Sequence, residues 1–398
     1  MKRSLKLFAV IAVCTLVVTG SVTTSFSQDK KLKIGVHVIL TGPGSQIGPL
    51  NQKGAQLAAD WINSKGGINI KGEKYLMDLA VVDEKGAADQ TIASFRSLVE
   101  VEKVKFITGG ASPTNSSIGA TVTEPAKVLR SLWWGEGTPK EINASLPYTF
   151  RANHYSRDAI PGLYKYLVEA YPKTKRVALA TIDSPGAPFT IDTSTKEGAA
   201  PVGLEVVFTE LYPRTIQDFY PYVTKMVASK PDAIHVTGGY PHLVGGIMKA
   251  AREMGFNGPV FATSPSPYTE IMNIVGKNLA TDYFSFPPYT DSPDMTPMIK
   301  EIREMSMKKY GRFNTDVLLA WDGVWCLAQA IEKAQSLDPT AVKDVWEKMT
   351  TIETAYGKGQ MGGIKTYGIN HVVVKAYGLG RIKNGTIEHV KWVMPSVP

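Results

Sequence analysis

The stretch Lys33-Ile-Gly-Val-His-Val-Ile-Leu-Thr-Gly-Pro-Gly-Ser-Gln-Ile-Gly48 decides how the rest of the chain is read. Its apolar first half predicts a strand buried on both faces, and Thr41 to Gly48 predicts a tight turn into a helix over about Asn51–Ser64. Gly66-Gly67 then stops the helix, because glycine takes the left-handed conformation at little cost. Strand, glycine turn and helix make the first part of a βαβ unit.

The same alternation continues. Strands are expected at Tyr75–Val82, Lys105–Thr108 and Val128–Trp133, with helices near Asp89–Val101 and Ser116–Glu124 between them. A second series follows Tyr148-Thr-Phe-Arg-Ala152. Its strands are Arg176–Thr181, Glu205–Glu210, Asp232–Thr237 and Val260–Ala262, and its helices include Asp158–Glu169, Ile216–Ala228 and Leu243–Met254. Two such series predict an α/β protein with two doubly wound parallel-sheet lobes. Three further helices, at Thr296–Tyr310, Val317–Ala334 and Thr340–Met349, precede hairpin strands Val372–Ile382 and Thr386–Val393 around Asn384-Gly385.

The amino terminus, Met1-Lys-Arg-Ser-Leu-Lys6, leads into an apolar run from Leu7 to Val18 and then a small, polar segment ending near Ser27. That is the pattern of a secretory signal peptide, with an apolar run of about 12 residues against the about 18 needed to span a bilayer. Removal at Ser27 leaves about 371 residues, an expected periplasmic location, and Cys326 as the one remaining cysteine. With no internal disulfide available, apolar burial has to supply the stability. The formal charge of +8 falls to about +5, and its lysines and arginines form no basic run, so nucleic-acid binding is not expected.

The glycine loop does not read as a nucleotide site. Gly42, Gly44 and Gly48 have the spacing G-x-G-x-x-x-G, and the strand-end acid that would hold a ribose, Asp83, is about twice too far along. No G-K-[ST] and no G-x-S-x-G elbow occurs, and the six histidines lack metal-ligand spacing. No enzyme activity, cofactor or metal is therefore expected. Polar and aromatic residues gather instead at the carboxyl ends of the predicted strands. These segments are Thr41–Gly48, Gly109–Ser117, Trp133–Thr138, Asn153–Tyr155, Asp183–Gly186, Gly238–Tyr240 and Thr263–Tyr268. Hydroxyls and helix-start N–H groups suit a carboxylate, and aromatic rings suit an apolar body. Taken one at a time, such residues also serve as ordinary caps and core covers.

Several pieces together carry a resemblance. They are Ile34-Gly-Val36, the Thr41–Gly48 loop, Gly54-Ala-Gln-Leu-Ala-Ala-Asp-Trp-Ile-Asn-Ser-Lys-Gly-Gly67, Val82-Asp-Glu84, Phe106-Ile-Thr-Gly-Gly110, Phe150-Arg151 and Thr237-Gly-Gly-Tyr240. In this order the chain resembles the periplasmic solute-binding proteins of ABC importers of the branched-chain amino acid type. The resemblance implies two lobes joined by three crossovers, with a small molecule in the interlobe cleft, hinge closure, and delivery to a permease and ATPase complex in the inner membrane by a monomer. With the signal peptide at 1–27, it places lobe one at 28–150, lobe two at 151–287, a return to lobe one at 288–352 and a return to lobe two at 353–398. It also implies Ser112, Thr114 and Asn115 as holders of a carboxylate, followed by Trp134 and Gly135. Ile47 and Tyr240 would pack on the ligand, and Trp133, Trp134, Tyr155 and Tyr240 are expected to enclose its body. The family's amino-acid binders carry an ammonium-holding glutamate where this chain has Ser264-Pro-Ser-Pro-Tyr268. Asp183 is left to hold an amine. The expected ligand is thus an apolar or aromatic carboxylate or an amino-acid-like solute. A branched-chain amino acid ligand, a sensing subunit on the same fold, and an exported enzyme are the alternatives.

Overall fold

The computed structural model describes residues 30–398 apart from 43–44, 46, 86, 111–112, 134, 136, 154, 185, 214, 238–240, 264–265, 287–294, 396 and 398. For Pro113, Thr114, Asn115 and Ser156 it describes the backbone alone. The expected signal peptide lies outside the described residues.

The first lobe opens with β1 (Lys30–Val38), α1 (Gly48–Ser64), β2 (Ile68–Ile70), β3 (Glu73–Asp83), α2 (Ala88–Arg96), β4 (Phe106–Gly109), α3 (Pro113–Thr123), β5 (Leu129–Leu132) and β6 (Thr149–Arg151). The chain then builds α4 (Ser156–Ala170), β7 (Arg176–Ile182), α5 (Ala187–Thr193), β8 (Glu205–Tyr212), α6 (Tyr220–Ala228), β9 (Ala233–Thr237), α7 (Pro241–Glu253), β10 (Val260–Ala262), α8 (Tyr268–Val275) and β11 (Tyr283–Ser285). It closes with α9 (Pro297–Tyr310), α10 (Thr315–Ala334), α11 (Pro339–Trp346), β12 (Ile352–Thr354), β13 (Gly357–Gly362), α12 (Ile364–Tyr367), β14 (Val372–Val374), β15 (Tyr377–Lys383) and β16 (Thr386–Val393).

Among the described residues the strands form two sheets. One has the order β12-β13-β14-β6-β5-β4-β1-β3-β2 and the other β16-β15-β11-β10-β9-β7-β8. The central pairs β3-β1-β4-β5-β6 and β8-β7-β9-β10-β11 are parallel, as a doubly wound fold requires.

Alternate residues of each central strand feed opposite layers. In β4, Phe106 joins the core under α1 and α10, while Ile107 joins Phe95, Leu98 and Val128 on the other face. In β10, Val260 and Ala262 pack toward α6, α7 and α8, and Phe261 packs toward α4. Strands buried on both faces account for the continuous apolar runs in the sequence. Five tryptophans, Trp61, Trp133, Trp321, Trp325 and Trp346, belong to the first lobe's core, whereas Trp392 lies exposed on β16.

The carboxyl-terminal third departs from the sequence reading at one boundary. Residues 357–374 stay in the first sheet, where β13 pairs with β14 and Val372 pairs with Arg151 of β6. The return to lobe two therefore begins near 375 instead of 353, and Val372–Val374 is no part of the final hairpin. That hairpin is β15–β16, closed by Asn384 (φ 51°) and Gly385 (φ 70°). The expected return to lobe one at 288 falls among residues outside the description.

Candidate functional site

All three crossovers leave a strand at its carboxyl end, after β6, β11 and β14. Helix α4 runs away from its crossover and β7 returns toward it, so the carboxyl ends of the lobe-two parallel strands face those of lobe one. The two sets of strand-end loops thus border one cleft, where open α/β sheets bind ligands.

The lip formed by the opening loop is held by Asp83 at the end of β3. Its Oδ1 accepts the N–H groups of Leu40 at 2.8 Å and Lys85 at 3.0 Å, and its Oδ2 accepts the Thr41 hydroxyl at 2.5 Å. Desolvation pushes this carboxyl up, but the bonds from Thr41, Leu40 and Lys85 outweigh it and hold it below the usual carboxylate range. At Gly48 a Cβ would sit 1.5 Å from the Ile39 carbonyl oxygen, so only glycine lets α1 start this close to β1. Half-buried Ile47 precedes the helix, and its carbonyl accepts from Leu50 and Asn51 at 3.1 Å.

Beside it, the loop after β4 enters α3. Thr114 and Asn115 lie in the first turn of α3, and Ser116 is buried there with no partner for its hydroxyl among the described residues. Arg130, also buried, fixes that turn by donating to the Ser116 carbonyl at 2.7 Å. Burial lowers the Arg130 guanidinium to about 10.

Trp133 does not line the cleft. It is fully buried, its indole N–H donates to Thr108 Oγ1 at 2.5 Å, and Gly323 of α10 lies flat against its ring. The ring that was expected to enclose a ligand fills the lobe-one core instead. Gly135 continues the same loop beneath the Tyr155 ring, where a Cβ would come 1.9 Å from Glu141 Oε2 and 2.7 Å from Tyr155 Cε2.

Tyr155 ends the first crossover, just before α4. Its ring stacks on the Arg151 guanidinium at 4.1 Å, and its hydroxyl is buried without a hydrogen-bond partner among the described residues. Burial first, and the Glu141 carboxylate next, push the phenol well above its ordinary range, so it remains a donor. Arg151 reaches from β6 into lobe two, donating to Asp158 of α4 at 2.7 Å, while Tyr367 donates to the Gly137 carbonyl at 3.0 Å. Burial pulls the Arg151 guanidinium down, but Asp158 more than offsets it and keeps the group charged.

In lobe two, Asp183 is exposed at the end of β7, with its N–H bonded to the Tyr212 carbonyl at 2.9 Å. Thr263, at the end of β10, is buried, and its hydroxyl has no partner among the described residues. Ser112, Trp134, Tyr240 and Ser264 lie outside the described residues, as do the side chains of Thr114 and Asn115. The structure therefore sets Gly135 against the Tyr155 ring, leaves Ile47 at the start of α1 and Asp183 at the end of β7, and buries Trp133 in the lobe-one core. A surface cavity of about 650 Å³, lined by Tyr171, Lys230 and Phe256 among others, opens at the amino ends of the lobe-two strands, remote from this cleft. Among the described residues no group of three or more His, Cys, Asp or Glu is placed to hold a metal, and no helix is long and apolar enough to cross a membrane.

Residues 31–386 match the model of a family described as periplasmic binding protein. The chain belongs to that family.

Among its relatives, this periplasmic binding protein is 24% identical over 370 residues to a leucine-, isoleucine-, valine-, threonine- and alanine-binding protein of Pseudomonas aeruginosa, covering 92% of this chain and 94% of the relative. It is also 24% identical to a Leu/Ile/Val-binding protein of Citrobacter freundii, over 84% of this chain and 89% of that one. The fold is shared with LivJ, the branched-chain amino acid transporter substrate-binding protein of Streptococcus pneumoniae solved with isoleucine. That likeness has a TM-score of 0.74 at 24% identity, covering 92% of this chain and all of the other. An ABC transporter substrate-binding protein from Sphaerobacter thermophilus matches with a TM-score of 0.77 at 19% identity, over 92% and 99% of the two chains. A periplasmic binding protein captures a solute without bond chemistry, so this chain is a solute-binding protein and not an enzyme.

Two features of the site escaped the sequence reading. Ser116 and Thr263 stand in loops already marked as site segments, yet only burial without a partner distinguishes them from their hydroxyl neighbours. The Arg151–Asp158 pair gave one faint signal, an arginine directly after the apolar strand Tyr148-Thr-Phe150.

Proposed function

We propose that the cleft of this solute-binding protein takes a small organic carboxylate with an apolar body, for uptake by an ABC permease and ATPase complex from the periplasm, with the chain acting as a monomer. The observation that carries this is a set of three buried hydroxyls, Ser116 in the first turn of α3, Tyr155 just before α4 and Thr263 just after β10, with no partner among the described residues. Leaving such a group unpaired costs about 1–3 kcal/mol, a cost that a carboxylate accepting from it removes. Ser112, Thr114 and Asn115 would add donors at the start of α3, where the helix dipole favours an anion. Ile47, Trp134 and Tyr240 would cover the apolar body, with Gly135 giving the backbone close approach and Ser264 supplying a further hydroxyl. Closure of the lobes would exchange water for these contacts.

A branched-chain amino acid is the second reading, favoured by the ligands named for the relatives. Asp183 would then hold the ammonium, although its exposure makes it a weak substitute for a buried glutamate. A thermal-shift screen of the mature protein against amino acids, amides, aliphatic acids and aromatic acids separates the two. A true ligand at about 100 times its Kd adds roughly 2.7 kcal/mol. Strong shifts with leucine or valine and none with aromatic or aliphatic acids would refute the carboxylate preference. Silence from the whole panel, with the gene beside a kinase or regulator, would favour a sensing subunit.

A further inference from the structure

Two of the crossings between lobes begin at one buried cation. Lys375, the first residue after β14, is fully enclosed, and its Nζ donates to the Ala152 carbonyl at 3.0 Å, to Asn153 Oδ1 at 2.8 Å and to an Asp322 carboxylate oxygen. Ala152 and Asn153 are the first residues after β6, so the same ammonium holds the starts of two crossovers. Asp322, equally enclosed, sits on α10 in the centre of lobe one, and its other oxygen accepts the Ala355 N–H at 2.7 Å. Asn153 in turn donates to the Trp133 carbonyl at 2.7 Å and the Leu319 carbonyl at 2.9 Å. Trp133 opens the loop that carries Trp134 and Gly135.

Stability alone does not explain this arrangement. Removing two charges from water is expensive, and an apolar pair of similar volume would often fold as well or better. What the ammonium provides and a methyl group cannot is several directed bonds converging from separate segments. Among the described residues, every hydrogen-bond partner of the cluster lies in lobe one or at its edge.

We infer that Lys375 is a positioning residue for lobe closure: with Asp322 and Asn153 it pins the starts of two crossovers to lobe one and ties them to the loop that enters the binding site. The inference rests on the reading that the lobes close on a solute, but its test needs no solute. Spin labels are placed on cysteines introduced at exposed Lys308 of α9 and exposed Lys249 of α7; buried Cys326 stays unlabelled. Interlobe distances in the ligand-free protein are then measured for wild type and for Lys375→Met/Asp322→Leu, which removes both charges together.

The double variant leaves the Ala152 carbonyl, Asn153 Oδ1 and the Ala355 N–H unpaired, so it is expected to melt about 4–12 °C below wild type, with a distance distribution about twofold broader. A distribution that overlays that of wild type, whatever the melting temperature, overturns the assignment, because a merely structural pair would change only stability. Hydrogen exchange on the wild-type protein gives a reading that does not depend on the variant folding. The Ala152 N–H, bonded to the Leu132 carbonyl at 3.1 Å, is expected to be as protected as the β5 amides. Exchange at Ala152 as fast as in exposed loops would equally overturn the clamp.

Discussion

Replacing Tyr155 with phenylalanine should move stability and binding in opposite directions. The phenol oxygen is buried with no partner among the described residues, and an unsatisfied buried hydroxyl costs about 1–3 kcal/mol. Phenylalanine keeps the ring over the Arg151 guanidinium, 4.1 Å from its centroid, and loses only the hydroxyl. The ligand-free variant should therefore be more stable by about 1–3 kcal/mol. At about 2.1 cal/mol/K of unfolding entropy per residue, a mature chain of about 371 residues gains roughly 1.3 °C per kcal/mol, so the midpoint should rise by about 1–4 °C. Binding should weaken, because on the proposed reading a donor to the solute is gone. A net hydrogen bond of about 0.5–1.5 kcal/mol corresponds to a Kd roughly 2- to 13-fold higher. Calorimetric melting of the ligand-free protein, followed by titration with the acid giving the largest shift in the solute panel, measures both. A variant that melts below wild type without solute would show that the hydroxyl already has a partner in the folded chain, and the reasoning from orphaned hydroxyls would fail.

Two further predictions concern carboxylates. Asp83→Ala releases the bonds to Leu40, Thr41 and Lys85 together, so amide exchange at Leu40 should accelerate while that of Ile34–Val38 stays unchanged; equal exchange at Leu40 in both proteins would refute the clamp. The folded Asp83 carboxyl is depressed, so its contribution is present above the ordinary value of 3.8 and is lost as pH falls through the folded value; acid should loosen the wild-type lip in the same way. Asp316, at the start of α10, has the opposite sign. Burial raises its carboxyl from 3.8 to about 6 although Asn314 bonds to it, and Glu270 adds to the rise. Its charged form is therefore disfavoured in the folded state, and stability falls as pH rises from 3.8 through 6. Asp316→Asn should stabilise the protein at pH 7.5 by up to about 3 kcal/mol, with the gain gone below about pH 4. An equal gain at both pH values would exclude ionisation as its cause.

The parallel strands were legible because burial on both faces leaves uninterrupted apolar runs, and the β15–β16 turn because Asn384-Gly385 allows two successive positive φ angles. Val372–Val374 was not, since three valines suit either sheet; the pairing with β13 and Arg151 that decides between them comes from distant segments. Trp133 looked like a ligand-facing ring because it ends a strand beside Trp134. The glycine that receives it, Gly323, is 190 positions later. Lys375 reads as an ordinary surface lysine until Asp322, 53 residues away, is seen beside it. Contacts between neighbours in sequence were readable, and those made across the return from lobe two to lobe one were not.

The placement of the tryptophans has an optical consequence. Five indoles sit in or against the lobe-one core, and on lobe two Trp392 lies exposed on the edge strand β16, so intrinsic emission reports mainly on the interior of a single lobe. Rigid rotation of the lobes leaves those five environments unchanged. If Trp134 packs on the solute as proposed, a spectral change on adding solute arises chiefly from it, and emission then reads the binding loop rather than the hinge.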